Sequence, residues 1–218
     1  MWLFRESLNP ISILIRFIVI SFVAIFIIPL HEYAHAFAAY KLGDTTALHR
    51  GRLTLNPLKH MDVMGIVCMF LFGYGWAKPV PVDTRNFKNR KIGTLIVSAA
   101  GPAANILAAL SGALLLKVIS STKLIADLNF NSFVLLFFKE YIHVNVALAV
   151  FNLLPIPPLD GFGIAEVFIP EPIVRLFYAN QSFISIITLA AIFMGFLDRY
   201  LTNASNFFIR VILFLVGL

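Results

Sequence analysis

Residues 11–28 hold one charged side chain, Arg16, and run straight into Pro29-Leu30-His31-Glu32-Tyr33-Ala34-His35. An apolar run of that length approaches the roughly 20 residues that cross a bilayer, which makes lipid the solvent of this segment. In lipid every backbone polar group must be paired internally, so a run without breakers folds as a helix. Ionisable groups are costly there and mark function by default. Two histidines four apart share one helix face, so both imidazoles can bind one zinc ion while the adjacent glutamate serves as base for a water. The pattern is that of a hydrolytic metal site set into a membrane segment.

The rest of the chain agrees with that solvent. Of its 218 residues 60% are hydrophobic and 13% charged, and the mean hydropathy is +0.88. Soluble domains carry about 25% charged residues. The further apolar runs predict an all-α polytopic membrane protein, a bundle of about five to six transmembrane segments with a short re-entrant or β-like piece, forming one domain over residues 1–218. The net charge of +6 resides in loops between apolar runs, with no basic amphipathic helix or interleaved aromatic patch. Nucleic acid is therefore not an expected partner, and orientation by the positive-inside rule accounts for the charge. The single Cys68 excludes an internal disulfide and reads as a small buried hydrophobe.

In chain order, residues 11–42 read as one retained helix that tilts, protrudes or bends near Pro29. Cleavage at the signal-peptide-like Ala34-His35-Ala36 would split the metal motif. Residues 43–62 are polar, and Gly51-Arg52-Leu53-Thr54-Leu55-Asn56-Pro57 reads as a short strand closed by a turn. Residues 63–77 are apolar but short and contain Gly65, Gly73 and Gly75, which fits a re-entrant or thin piece. Residues 78–91 concentrate Lys78, Arg85, Lys88, Arg90 and Lys91 around Pro79 and Pro81, the mark of a cytoplasmic loop. If residues 63–77 turn back, both basic loops share the cytoplasmic face. The His-Glu-x-x-His end of the first helix then points to the cytoplasm, and the amino terminus lies outside.

Residues 92–116 form a second span whose small residues around Ser98-Ala99-Ala100-Gly101-Pro102-Ala103-Ala104-Asn105 permit close packing against the first helix. Asn105 reads as glue between helices or as a supporting site residue. Residues 132–154 form a third span, ending in Asn152-Leu153-Leu154-Pro155-Ile156-Pro157-Pro158-Leu159-Asp160-Gly161, where the prolines stop the helix beside a protein-lined cavity. Residues 174–197 read as a further span interrupted by Asn180 and Gln181. Residues 204–218, with Arg210, either span or lie on the surface.

Two histidines need a third protein ligand to leave one open tetrahedral position, and Asp160 is the strongest candidate. His143 stands too far up its helix, and His49, His60, Asp44, Asp62 and Asp83 belong to loops. Glu166 is near enough in sequence to compete.

The chain resembles the site-2 protease family of intramembrane zinc metalloproteases, in a compact prokaryotic form without PDZ or CBS domains. The likeness rests on His31-Glu32-Tyr33-Ala34-His35, Gly101-Pro102-Ala103-Ala104-Asn105, and Asn152-Leu153-Leu154-Pro155 leading to Leu159-Asp160-Gly161. Gly75-Trp76-Ala77-Lys78-Pro79-Val80-Pro81-Val82 adds to it, and the motifs together cover residues 28–163. The resemblance implies that His31, His35 and Asp160 bind one zinc ion per chain, with Glu32 as general base and Asn152 near the developing oxyanion. It implies a transmembrane protein as substrate, cleaved within or near its membrane segment, and a multi-pass location in the cytoplasmic membrane of a prokaryote. The family core often has a separate helix before the motif-bearing one, whereas a single continuous run serves here. The competing readings are a zinc- or proton-binding transporter and an inactive protease-like scaffold. The first lacks inverted repeats, and the second would need a lost ligand or base.

Overall fold

The first apolar run folds without interruption into α1 (Pro10–Lys41), a helix of 32 residues that carries Pro29 in its interior. The computed structural model describes residues 10–72, 75–121 and 128–218, and among these every regular element is helical. After α1 come α2 (Thr46–His49), α3 (Pro57–His60), α4 (Val63–Phe72), a single 3-10 turn at Thr84–Asn86, and α5 (Arg90–Ser121). They are followed by α6 (Leu128–Asn152), α7 (Asp160–Ala165), α8 (Glu171–Ala179), α9 (Gln181–Phe193) and α10 (Asp198–Val216).

The span count is lower than the five to six expected. Among the described residues three helices are long and apolar enough to cross a membrane, Phe17–Lys41, Arg90–Ser121 and Phe133–Asn152. A fourth exists only if α8 and α9, bent by 71° at Asn180, form one broken span. The reasons are physical. Helix α4 has 10 residues, about 15 Å of rise against a hydrocarbon core of about 30 Å. Helix α10 opens with Asp198, Arg199, Asn203 and Asn206, too polar a first half for lipid. It packs instead through Ile212 and Val216 onto Ala109 and Ala113 of α5 and Ile142, Val146 and Val150 of α6.

The piece over residues 63–77 leaves and returns at one place. Met61 pairs with Ala77 in an isolated antiparallel bridge, and the Lys78 N–H donates to the His60 carbonyl at 2.8 Å. Because its two ends meet, this piece does not carry the chain from one face to the other. Gly65 makes the return possible, since a Cβ there would collide with the Trp76 carbonyl oxygen. The β-like character expected here reduces to that one bridge; Gly73 and Tyr74 lie outside the described residues. The strand expected from Gly51 to Pro57 is absent. Asn56 instead caps α3, its side chain accepting from the Leu58 N–H at 3.0 Å, with Pro57 in the first turn. An asparagine cap before a proline is a helix start, and it overrides the alternating pattern upstream.

Helix α5 is the axis on which the others lie, in contact with α1, α6, α7 and α10. Its buried face is made of Gly101, Asn105, Ala108, Ala109, Gly112 and Ala113. A Cβ on Gly112 would meet the Tyr141 ring at 2.6 Å, so α6 sits directly on the α5 backbone. Between lipid-facing helices apolar burial gains little, and this closeness is what supplies association through dispersion. The remaining seam joins Val19, Val23 and Ile27 of α1 to Leu136, Phe137, Tyr141, Val144 and Leu148 of α6.

Candidate metal centre

His31 and His35 stand one turn apart on the buried face of α1, 6% and 7% exposed. Asp160, at the start of α7, meets them from the other end of the chain. Its Oδ2 lies 3.3 Å from His31 Nε2 and 3.2 Å from His35 Nε2, and the two Nε2 atoms are 3.1 Å apart. Three donors bound tetrahedrally to zinc at about 2.0–2.1 Å would be separated by roughly 3.3–3.4 Å. The observed triangle is that face of a tetrahedron to within about 0.3 Å, and it is the one such cluster of metal-ligating side chains among the described residues.

The protonation of the triangle follows from carbonyls, which can only accept. The Tyr141 carbonyl takes a hydrogen bond from Asn145 Nδ2 at 2.8 Å, which turns Asn145 Oδ1 towards Asn105. Asn105 Nδ2 donates to it at 3.2 Å, which turns Asn105 Oδ1 towards His31 Nδ1, 2.6 Å away. His31 Nδ1 is therefore the donor and carries the proton. His35 Nδ1 likewise donates to the Val97 carbonyl at 2.7 Å. Each neutral imidazole then presents a bare lone pair at Nε2, and both lone pairs face Asp160 Oδ2, which is buried without a hydrogen-bond partner. Three lone pairs converging in a buried space repel one another unless a cation lies among them. The donor set fits a divalent metal with nitrogen and oxygen ligands.

Helix α5 shapes the site from one face with residues four apart: the Val97 carbonyl, Gly101 and Asn105. A Cβ on Gly101 would collide with His35 Nε2 and lie 2.6 Å from His31 Cε1. Only a bare backbone fits beneath the imidazoles. The Asp160 turn is equally tight, since a Cβ on Gly161 would run into the Leu153 carbonyl oxygen. Beyond it, Phe162 is buried against Phe177 and Tyr178.

Glu32 is buried beside the histidines, and its Oε2 accepts the Val80 N–H at 2.8 Å. Asn152 ends α6, where one of its amide hydrogens goes to the Leu148 carbonyl at 3.0 Å. The competing ligands are engaged elsewhere. Glu166 accepts from the Tyr178 hydroxyl at 2.7 Å, Asp62 from the Gly65 N–H, and His60 Nε2 meets the Thr54 carbonyl. Asp44 accepts from the Thr46 N–H and hydroxyl, Asn86 Nδ2 and the Asp83 N–H. Asn145 and the Val80 N–H carried no role of their own in the sequence reading, and Gly101 entered it as a small residue that permits close packing. For Asn145 the available signal was the amide itself, in an apolar stretch of helix.

Fold and site together define a helical membrane protein in which two histidines and a carboxylate, with a glutamate at their side, form a group that could hold a metal ion. Comparison with known proteins points the same way. The chain is 42% identical over 161 residues to the "Putative zinc metalloprotease YwhC" of Bacillus subtilis, a match covering 74% of this chain and 72% of that protein. It is 35% identical over 171 residues to the "Putative zinc metalloprotease Rip2" of Mycolicibacterium smegmatis and 29% identical over 170 residues to its Mycobacterium tuberculosis namesake. Each of these two matches covers 76% of this chain and 62% of the relative. The chain belongs to the family of YwhC. No protein-family model and no solved structure matches it.

Proposed function

We propose that this protein is an intramembrane zinc metalloendopeptidase of the site-2 protease kind, hydrolysing a peptide bond within or near a transmembrane segment of another protein. The observation that carries the reading is the Nε2–Nε2–Oδ2 triangle, with edges of 3.1, 3.2 and 3.3 Å and its two nitrogen corners on a helix of membrane-spanning length. The relatives named as zinc metalloproteases support zinc as its metal.

His31, His35 and Asp160 hold the ion, which when bound supplies a Lewis acid that acidifies water and polarises a carbonyl. Glu32 takes the proton from the attacking water and passes it to the leaving amine. Asn105 and the Val97 carbonyl keep both imidazoles in the tautomer that leaves Nε2 free. Asn152, at the end of α6, offers its second amide hydrogen to the developing oxyanion, a contribution of about 3 kcal/mol where such donors have been removed in other enzymes. A helical substrate hides its carbonyls, so the scissile segment must unwind to reach the site. The lipid bilayer is the second partner, and the positive-inside rule puts the basic loops and the site towards the cytoplasmic side of a prokaryotic cytoplasmic membrane.

The test is direct. Purified protein should contain about one zinc per chain and cut a reporter transmembrane segment in liposomes, as the three-ligand site requires. Glu32→Gln should keep the zinc and lose cleavage. Protein without zinc, or a Glu32→Gln variant that cuts as fast as wild type, would overturn the reading.

A further inference from the structure

Residues 78–83 form a strap that reaches the candidate centre at Glu32, and its sequence, Lys78-Pro79-Val80-Pro81-Val82-Asp83, is unusual in its donors. Proline has no N–H, so from residue 79 to residue 81 the strap has one amide hydrogen, that of Val80. It goes to Glu32 Oε2 at 2.8 Å. The two rings fix their own φ, and Lys78 and Val80 each precede a proline, which restricts them to extended conformations. A strap built this way is stiff and between its first and last proline holds out a single donor.

Both ends of the strap are fastened by buried charged side chains. At the first end, Arg52 Nη2 donates to the carbonyls of Lys78 at 2.5 Å and Pro79 at 3.3 Å, while the Lys78 N–H donates to the His60 carbonyl. At the second end, Asp44 Oδ2 accepts the Asp83 N–H at 2.8 Å, and Asp44 Oδ1 accepts Asn86 Nδ2 at 2.8 Å. Arg52 is 8% exposed and Asp44 fully buried. Neither faces a side chain of opposite charge in these contacts. Burying a charge to grip backbone is costly, and two such grips flank the one N–H that reaches Glu32.

We infer that the Val80 backbone N–H is a positioning donor for Glu32, and that Arg52 and Asp44 act as the clasps that keep it in place. This rests on the reading of Glu32 as the base. The donor occupies Oε2 and restrains the carboxylate, so that Oε1 is the oxygen left to take the proton. Because the contact is made by backbone, it leaves no side-chain signature. The doubled proline around one valine is its only trace in sequence.

Two readouts test the inference, both on the full chain in lipid. The first is amide hydrogen exchange over residues 78–83, where the amides of Lys78, Val80, Val82 and Asp83 are the only ones present. Glu32→Ala should speed exchange at Val80 at least tenfold and leave Lys78 and Asp83 unchanged. Arg52→Gln should speed Val80 exchange in the same direction. The second is cleavage kinetics of Val80→Pro, which deletes the donor while keeping an extended backbone. It should lower kcat at least tenfold, with KM within threefold of wild type and zinc content unchanged. Should that variant fail to fold, the α-hydroxy analogue of valine, placed at residue 80 by suppression, deletes the same N–H as an ester and is expected to give the same split. Val80 exchange that ignores the loss of the Glu32 carboxylate, or an ester variant with wild-type kcat, overturns the inference. A wild type that exchanges as described yet cuts no substrate sinks the protease reading, and the positioning role with it, while the contact stands.

Discussion

The tautomer of His31 is set by the carbonyl of Tyr141, two amide side chains away. Asn145 must donate to that carbonyl, Asn105 must then donate to Asn145, and the remaining oxygen of Asn105 faces His31 Nδ1 at 2.6 Å. Outer partners of this kind typically change metal affinity 10- to 100-fold. Asn105→Ala should therefore weaken zinc binding by about one to two orders of magnitude, measured by competition with a chelator of known affinity. Asn105→Asp, which keeps an acceptor for His31, should lose less. Equal affinity in wild type and Asn105→Ala would remove the relay from the account.

Gly101 predicts a steric failure. A methyl added there would overlap His35 Nε2, on backbone that α5 cannot withdraw without leaving α6. Gly101→Ala should fold in the membrane but hold well under one zinc per chain by elemental analysis, whereas Ala103→Gly, at an exposed position of α5, should stay loaded. A fully loaded Gly101→Ala protein would show that the imidazoles can turn aside.

Metal removal has a thermal signature. A ligand that binds only the folded state stabilises by about 2.7 kcal/mol at a hundred times its Kd. Chelation should therefore lower the melting temperature of wild type, while Asp160→Ala should melt low from the start and respond little to chelator. Identical chelator shifts in the two proteins would separate Asp160 from the metal.

The Asp44 knot predicts acid sensitivity. Burial pushes its carboxyl up, but hydrogen bonds from Thr46, Asp83 and Asn86 outweigh this and hold it below the usual range. A carboxyl lowered in the folded state lends stability above its unfolded pKa of about 3.9 and withdraws it as pH falls through the lower folded value. Asp83, held by Arg85, titrates at about 2 and stays charged longer. The 44–86 junction should loosen below about pH 4, read as faster amide exchange at Asp83. Asp44→Asn would turn an amide N–H2 towards a donor and should cost about 1–3 kcal/mol at neutral pH. No change in melting between the two would dismiss the knot as incidental.

Much of the site was legible because side chains wrote it. The i, i+4 histidines, the adjacent Glu32, and an aspartate just past a proline-broken helix each carry a chemical reason to be where they are. What escaped was written in backbone and in faces. Asn145 has no periodic partner to say that it points at Asn105, and the Val97 carbonyl and Val80 N–H belong to residues whose side chains are apolar. The span count erred for a related reason: an apolar window reports composition, while the 71° turn at Asn180 and the polar opening of α10 decide whether it crosses. At residues 51–57 the sequence did hold the answer, in Asn56-Pro57, and an alternating pattern masked it.

The distance along the chain between the two halves of the site sets a clock. From His35 to Asp160 is 160 − 35 = 125 residues, and ribosomes add roughly 5–20 residues per second, so the gap takes about 6–25 s to synthesise. Throughout that interval the first helix can already stand among other nascent membrane segments with two imidazoles and a base exposed to them. On the proposed reading the site lacks its third ligand until Asp160 has been made, so the newborn chain should cut nothing before the turn at Asp160 closes.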